Sequence, residues 1–405
     1  MKQKAIIFLP DGMADEPLEE LGGKTPLEYA HTPGMDSIAR RGACGTFLTL
    51  PEGLPTSSDV ANMSVLGFLP EENYPGRGPI ECASQGIELG PDDVAFRCNL
   101  VYASEDGILR DYCAGHIDNE TALTLMQDLQ KEFGSEELTF YPGVSYRNLL
   151  VLHGKRFSAA VNYFKPDSSS DMPLAELRSS PADDSPEALE TVRFLHDLEE
   201  RCASFLRNHK LNQGKSAPAN RIWPWSPGRK PAIPAFSQLY ADCQGAIISA
   251  VDVIKGLGRC AAMKVIDVPG ATGFTDTNYK GKMESALKAI ESYDLVYLHV
   301  EAVDECSHLG DLKLKLQAIE DFDAKIVVPL LKALESRKDI NFAVLPDHPV
   351  PVKLRQHTTT PVPLAICGPA VPEPDTIEVY SETLAPQGSL GALKRDMLVR
   401  KLLGL

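Results

Sequence analysis

Three short segments of this chain end an apolar run in a carboxylate, or in a carboxylate beside an imidazole. Asp11 follows the apolar residues 5–9 (AIIFL). Asp304 and His308 lie four apart in residues 300–311 (VEAVDECSHLGD) and would share one face of a helical turn. Asp347 and His348 stand side by side in residues 345–358 (LPDHPVPVKLRQHT), with His357 further along the same stretch. Carboxylate and imidazole together suit Zn²⁺ or Mn²⁺, and carboxylates add tolerance for Mg²⁺. Taken singly, each residue has an ordinary reading. An Asp after a strand commonly forms a turn or caps a helix, and an i,i+4 Asp–His pair can be a solvated helical face. Taken together they point to a site for one cation or two.

The elements that must position these residues follow from periodicity. Residues 5–9 read as a strand buried on both faces, residues 33–41 as a short helix, and residues 45–50 as a second strand. Thr56, Ser57, Ser58 and Asp59 precede a helix predicted over residues 60–66, where free backbone N–H groups and the helix dipole favour an anion. From residue 245 onward strands and helices alternate. The predicted strands are 246–249, 264–268, 295–300, 342–345 and 364–367, and the predicted helices include 279–292 and 312–334. Such alternation predicts a mostly parallel sheet flanked by helices, with ligands at the carboxyl ends of its strands. Asp11, Asp304 and Asp347–His348 all fall there. The pattern changes between about residues 81 and 229, with strands over 95–104 and 149–153, helices over 119–133 and 187–209, and a Ser/Asp/Pro-rich loop over 167–186. The expected organisation is therefore an α/β core from residues 1–80 and 231–405, interrupted by an α+β domain over residues 81–230. The insert could close over the site, since a cleft between domains is a usual ligand position.

Bulk properties narrow the function. A chain of 405 residues is long enough for two domains. Its net charge of −16 argues against nucleic acid or an anionic membrane surface as a main partner, though not against a small anionic substrate in a local cationic pocket. The first apolar run is too short for a signal-peptide core, and nothing approaches the ~20 apolar residues of a membrane span. Nine scattered cysteines without a Cys-x-x-Cys pair suit reduced thiols, so a cytoplasmic setting is expected. Nothing in the sequence signals an oligomeric state.

Some motifs mislead. Gly23-Lys24-Thr25 and Gly214-Lys215-Ser216 end like phosphate-binding loops, but Leu18 and His209 occupy the positions that need the first glycine. Gly143-Val144-Ser145-Tyr146-Arg147 begins like a hydrolase nucleophile elbow and lacks its closing glycine.

Asp11-Gly12, Thr56-Ser57-Ser58-Asp59-Val60-Ala61-Asn62, Gly76-Arg77-Gly78-Pro79-Ile80-Glu81, Asp304-x-x-x-His308 with Gly310-Asp311, and Asp347-His348 with His357 occur in that order. This set resembles the archaeal-type, cofactor-independent phosphoglycerate mutase family of the alkaline phosphatase superfamily. The resemblance runs over most of the chain and implies an alkaline-phosphatase-like core. It also implies two divalent metals (Mn²⁺, Zn²⁺ or Mg²⁺) and no 2,3-bisphosphoglycerate. One metal would be held by Asp304, His308 and His357, the other by Asp11, Asp347, His348 and the oxygen of Ser58. Ser58 would be the nucleophile, with Ser57 as its capping neighbour.

The reaction implied is interconversion of 3-phosphoglycerate and 2-phosphoglycerate through phosphoserine. A small phosphorylated carboxylate calls for guanidinium or ammonium groups, and the candidates are Arg77, Arg147, Arg229 and Lys282. Two stretches depart from the archaeal pattern. Asp111-Tyr112-Cys113-Ala114-Gly115-His116 replaces a more basic segment, and residues 220–230 (NRIWPWSPGRK) carry two tryptophans. Both resemble a bacterial branch proposed to be a homoserine kinase. A phosphotransferase to another hydroxyl is thus the alternative enzyme, and a non-catalytic metal-binding protein the alternative from a different class.

Overall fold

The apolar run 5–9 forms the middle of a sheet that is buried on both sides, as an all-apolar strand must be. The computed structural model describes residues 3–405. Contacts divide the chain into two units, Met1–Tyr74 with Ile233–Leu405, and Pro75–Ala232. The first break falls ahead of the expected 80/81, so the Gly-Arg-Gly-Pro stretch lies in the second unit.

In chain order the strands of the N-terminal segment are β1 (Lys4–Pro10) and β2 (Ala43–Leu48). The second unit contributes β3 (Val94–Ala103), β4 (Leu109–Asp111), β5 (Leu138–Val144), β6 (Arg147–Leu152), β7 (Val161–Asn162), β8 (Ser180–Pro181) and β9 (Arg221–Gly228). The first unit resumes with β10 (Gly245–Ile248), β11 (Lys264–Ile266), β12 (Leu295–Val300), β13 (Ile340–Val344), β14 (Val362–Cys367) and β15 (Gly391–Lys394).

The first unit's sheet has the order β11-β10-β12-β1-β13-β14-β2-β15. Only β14 runs against the others: its pairings with β13 and β2 are antiparallel, and the remaining five are parallel. The fold is thus α/β with a mixed, mostly parallel sheet. Three adjacent parallel strands, β12, β1 and β13, end on the same edge of that sheet. The residues that follow them are therefore neighbours in space.

The helix expected over 312–334 is broken. It runs as Leu312–Phe322, passes through a π turn at Asp323–Val327, and resumes as Val328–Ala333. Pro329 cannot donate to the preceding turn, which is one established cause of such an interruption. Within the π turn, the buried Asp323 carboxylate accepts from Gly34 N at 2.9 Å and Met35 N at 2.7 Å, capping the helix Pro33–Arg40.

The second unit is built on β3, which pairs antiparallel with β6, β9 and β4. Alternation along β3 sends Val94, Phe96, Cys98 and Leu100 into one core with the helices Asn119–Phe133 and Pro186–Arg207. Arg97 and Asn99 therefore lie on the other face. β9 carries Pro224 and Pro227 and pairs with β3 alone, the edge placement that proline requires in a sheet. Among the described residues no helix is long and apolar enough to cross a membrane. All nine cysteines are free thiols.

Candidate metal centre

The sheet edge at β12, β1 and β13 gathers Asp11, Glu301, Asp304, Asp347 and His348. Asp11 N donates to Val300 O at 2.9 Å, fixing the chain as it leaves β1. Gly12 follows at φ +63°, and a Cβ there would lie 2.5 Å from Asp304 Oδ1, so only glycine permits this approach. Gly12 N donates to Asp347 Oδ1 at 3.2 Å, and His348 N donates to the same oxygen at 2.9 Å. Asp304 and His308 share one face of the helix Ala302–Leu309, which ends at Gly310 in the left-handed conformation.

Two poles emerge. At the first, Asp304 Oδ2 lies 3.3 Å from His308 Nε2, and Asp304 Oδ1 lies 3.8 Å from His357 Nε2. The His308 and His357 Nε2 atoms are 3.0 Å apart. His308 Nδ1 lies 2.9 Å from the Arg355 carbonyl, which can only accept. Nδ1 therefore carries a hydrogen, which leaves Nε2 as the nitrogen able to ligate once it gives up its proton, the usual arrangement of a ligating histidine. At the second pole, His348 Nε2 lies 3.1 Å from Ser58 Oγ, 3.3 Å from Asp347 Oδ2 and 3.5 Å from Asp11 Oδ1. The two poles adjoin, because the His348 and His357 rings stack at 3.8 Å.

The electrostatics ask for positive charge. Burial, then the neighbouring Asp347, Glu301 and Asp304, push the Asp11 carboxyl far above the usual range. Burial raises Asp347 to about 7 and Glu301 to about 8, with Asp304 adding to both. Burial disfavours the His308 cation, yet Asp304 outweighs it and lifts that pKa to about 9. Asp11 Oδ1 and Asp304 Oδ1 are buried and accept no hydrogen bond from any described residue. Ligand atoms of Asp304, His348 and His357, and those of Asp11, Asp347 and His348, converge closely enough to share an ion. Buried carboxylate oxygens that accept no hydrogen bond, facing imidazole nitrogens, fit divalent cations.

Ser58 is the first residue of the helix Ser58–Val65, and Ser57 occupies the N-cap position. The capping role expected for Ser57 is not realised. Its side chain makes no capping bond, because the Val60 N–H it would accept donates to Asp59 Oδ1 at 3.1 Å, and the Ser57 hydroxyl donates to the same oxygen.

Several residues of the centre were not singled out from the sequence. His299 is fully buried, with Nε2 2.9 Å from Asp11 Oδ2 and Nδ1 3.1 Å from Ser249 Oγ. Glu301 lies beside it, and Asn62 reaches Asp347. Alternation within β12 carried a faint signal, since a histidine two residues after Tyr297 must share that residue's face. Lys282 is buried, and its Nζ donates to the His299 carbonyl at 2.9 Å. Burial lowers its pKa to about 8. That placement suits a lysine that offsets nearby carboxylates behind the centre.

In the second unit Glu81 is clamped by two guanidinium groups. Arg77 Nε donates to Glu81 Oε1 at 2.7 Å, and Arg97 Nη1 donates to the same oxygen. Despite burial, these arginines hold the Glu81 carboxyl below its ordinary value, with a further contribution from Arg147. Trp225 lies beneath both, 5.8 Å from the Arg77 guanidinium and 5.6 Å from that of Arg97. Arg97, on the polar face of β3, was also not anticipated. Arg229 is engaged elsewhere, donating to Phe157 O at 2.7 Å.

A family profile described as 2,3-bisphosphoglycerate-independent phosphoglycerate mutase matches residues 39–212. The chain is 44% identical over 405 residues to the 2,3-bisphosphoglycerate-independent phosphoglycerate mutase of Methanothrix thermoacetophila, covering 99% of each chain. Among solved structures, a Pyrococcus horikoshii protein matches with a TM-score of 0.82 and 27% identity, over 100% of this chain and 97% of that one. The cofactor-independent phosphoglycerate mutase of Thermoplasma acidophilum matches with a TM-score of 0.66 and 27% identity, over 100% of this chain and 99% of that one.

Proposed function

Because the chain belongs to the 2,3-bisphosphoglycerate-independent phosphoglycerate mutase family, we propose that it interconverts 3-phosphoglycerate and 2-phosphoglycerate through a phosphoserine at Ser58. The observation that carries this reading is the Ser58 hydroxyl within 3.1 Å of His348 Nε2, at the edge of a carboxylate–histidine cluster. Asp304, His308 and His357 would hold one divalent cation, and Asp11, Asp347, His348 and Ser58 Oγ a second. When bound, such cations supply positive charge that lowers the pKa of a serine hydroxyl and neutralises phosphoryl oxygens.

The chain's own residues account for the rest. Ser58 gives up its hydroxyl proton as Oγ attacks phosphorus, the bond from phosphorus to the 3-oxygen breaks, and that oxygen takes up a proton to leave glycerate. The 2-hydroxyl then attacks phosphoserine and loses its proton as the bond from phosphorus to Oγ breaks and Ser58 regains one. Ser58 opens the helix Ser58–Val65, where the helix dipole favours the negative charge of a phosphoryl group. Arg77 and Arg147 of the second unit are proposed to hold the carboxylate or phosphate, since a guanidinium matches either in a bidentate fashion, while the buried Arg97 holds Glu81. Free thiols throughout accord with a reducing, cytoplasmic setting.

A second reading keeps the same chemistry and changes the acceptor, to homoserine or another small hydroxyl compound. It rests on Trp225, which sits under the Arg77 and Arg97 guanidinium groups and belongs to the stretch that departs from the archaeal pattern. The deciding assay supplies 3-phosphoglycerate and Mn²⁺ without ATP or 2,3-bisphosphoglycerate, and monitors 2-phosphoglycerate. Turnover that vanishes in Ser58→Ala supports the mutase. No turnover, with Ser58 still labelled by other phosphoesters, moves the assignment to the second acceptor class.

A further inference from the structure

Asn62 lies one helical turn after Ser58 and is fully buried. Its Nδ2 donates to Asp347 Oδ2 at 2.8 Å and to the Ser58 carbonyl at 2.7 Å. Its Oδ1 accepts from the hydroxyl of Tyr297, itself fully buried on β12. The orientation of the Asn62 amide follows from which arrangement satisfies every partner. Here only one does. A carboxylate oxygen and a backbone carbonyl can only accept, so both hydrogens of the amide nitrogen must face them. A flipped amide would set three acceptor oxygens against one another among buried side chains, where unpaired polar groups are costly. The Tyr297 hydroxyl completes the arrangement by donating to the oxygen that remains.

The geometry points to Asn62, oriented by Tyr297, as a positioning residue that locks Ser58 to Asp347. One amide holds both the backbone of the candidate nucleophile and a carboxylate of the adjacent pole. Any drift of the helix Ser58–Val65 relative to β13 must therefore break a buried hydrogen bond. This inference rests on the assignment of Ser58 and Asp347 to one metal-assisted phosphoryl-transfer site.

The test uses the full chain with Asn62→Ala and Tyr297→Phe, and Mn²⁺ as the probe. Mn²⁺ affinity is measured by chelator competition, alongside kcat and KM for 3-phosphoglycerate and the unfolding midpoint of the metal-free protein. Residues that orient metal ligands typically contribute about 10–100-fold in metal affinity or activity. Asn62→Ala is expected to weaken one of the two Mn²⁺ equivalents by about that factor and to lower kcat with little change in KM. Tyr297→Phe keeps the ring and is expected to lose less, in the same direction, with the metal-free midpoint near that of the parent. It carries the test if Asn62→Ala does not fold. Parent-like Mn²⁺ affinity in the folded variants overturns the inference, whatever their activity. If the parent chain fails to convert 3-phosphoglycerate while the variants still lose Mn²⁺ affinity, the substrate assignment falls and the positioning role stands.

Discussion

Lys315 Nζ lies 2.7 Å from Asp15 Oδ2, and neither side chain is exposed to solvent. The same ammonium donates to Val350 O at 2.9 Å and to Gly12 O at 3.4 Å. Asp15 Oδ2 also accepts from Val352 N at 3.0 Å. A single buried ion pair thus ties the loop after β1, which carries Asp11, to the loop after β13, which carries Asp347 and His348. The candidate metal centre inherits its geometry partly from a lysine that lies outside its cluster of carboxylates and imidazoles.

Breaking that pair should be expensive. Removing one partner of a buried ion pair leaves an uncompensated charge and costs about 3–5 kcal/mol. Lys315→Met is expected to destabilise the first unit by that amount in denaturant unfolding. Adding Asp15→Asn should recover part of it, because the amide oxygen still accepts from the backbone without carrying charge. Equal stability of Lys315→Met and the parent would remove the clamp from the account.

Gly12→Ala tests the close approach of the loop after β1 to Asp304 on the helix Ala302–Leu309. The φ of +63° and the 2.5 Å that would separate an added Cβ from Asp304 Oδ1 both oppose a side chain. The left-handed conformation alone costs a non-glycine residue roughly 1–2 kcal/mol. The variant should lose metal as well as stability, because Asp304 must move to admit the methyl group. Full metal content by elemental analysis would contradict this.

Asp304→Ala and His357→Ala should each lose metal while the second unit stays folded. Both residues belong to the first unit, and the second has its own sheet and core. Elemental analysis reads the metal, and protection of the amides of β3 and β6 in hydrogen exchange reads the second unit. Unchanged metal content in either variant would exclude that residue from the centre.

Glu199, on the helix Pro186–Arg207, provides a pH test away from the metal ligands. Burial raises its pKa from 4.5 to about 7 against the opposing pull of Arg221 and Arg178, with Glu200 adding to the rise. The folded state therefore holds this proton more tightly than the unfolded chain does. Below about pH 4.5 both states are protonated and the site imposes no penalty. As pH rises towards 7 the unfolded chain ionises first, and stability falls until the folded carboxyl ionises too. Glu199→Gln should accordingly stabilise the second unit at pH 8 and have little effect at pH 4. A gain of equal size at both values would show that charge is not the cause.

The sequence makes the metal-ligand segments legible because each follows a strand whose apolar pattern is unambiguous. β1 is apolar without interruption from Ala5, β12 is apolar but for His299, and Asp304 and His308 keep the spacing of one helical face. Elements whose local signal is weak or contrary were not anticipated. β9 contains two prolines, which suit an edge strand yet argue against a strand when read alone. The break at Asp323 depends on a tertiary contact with the helix Pro33–Arg40, invisible to periodicity. His299, Asn62 and Arg97 look like isolated polar residues in apolar stretches. Their meaning comes from partners on other elements, which no local pattern specifies. For Ser57, the capping expectation failed because a stronger acceptor, Asp59, stands two residues away.

The central position of β1 also governs the order in which this protein can be made. β1 is hydrogen-bonded on one side to β12 and on the other to β13, both from the last third of the chain. At a synthesis rate of about 5–20 residues per second, Asp11 and Ser58 leave the ribosome tens of seconds before His357. The second unit, continuous in sequence, can fold during that interval. The N-terminal strand cannot, and its apolar surface must wait or be shielded. Any nascent chain that stops short of His357 contains Ser58 without the full cluster of carboxylates and imidazoles around it, so the candidate centre is completed only when synthesis is nearly finished.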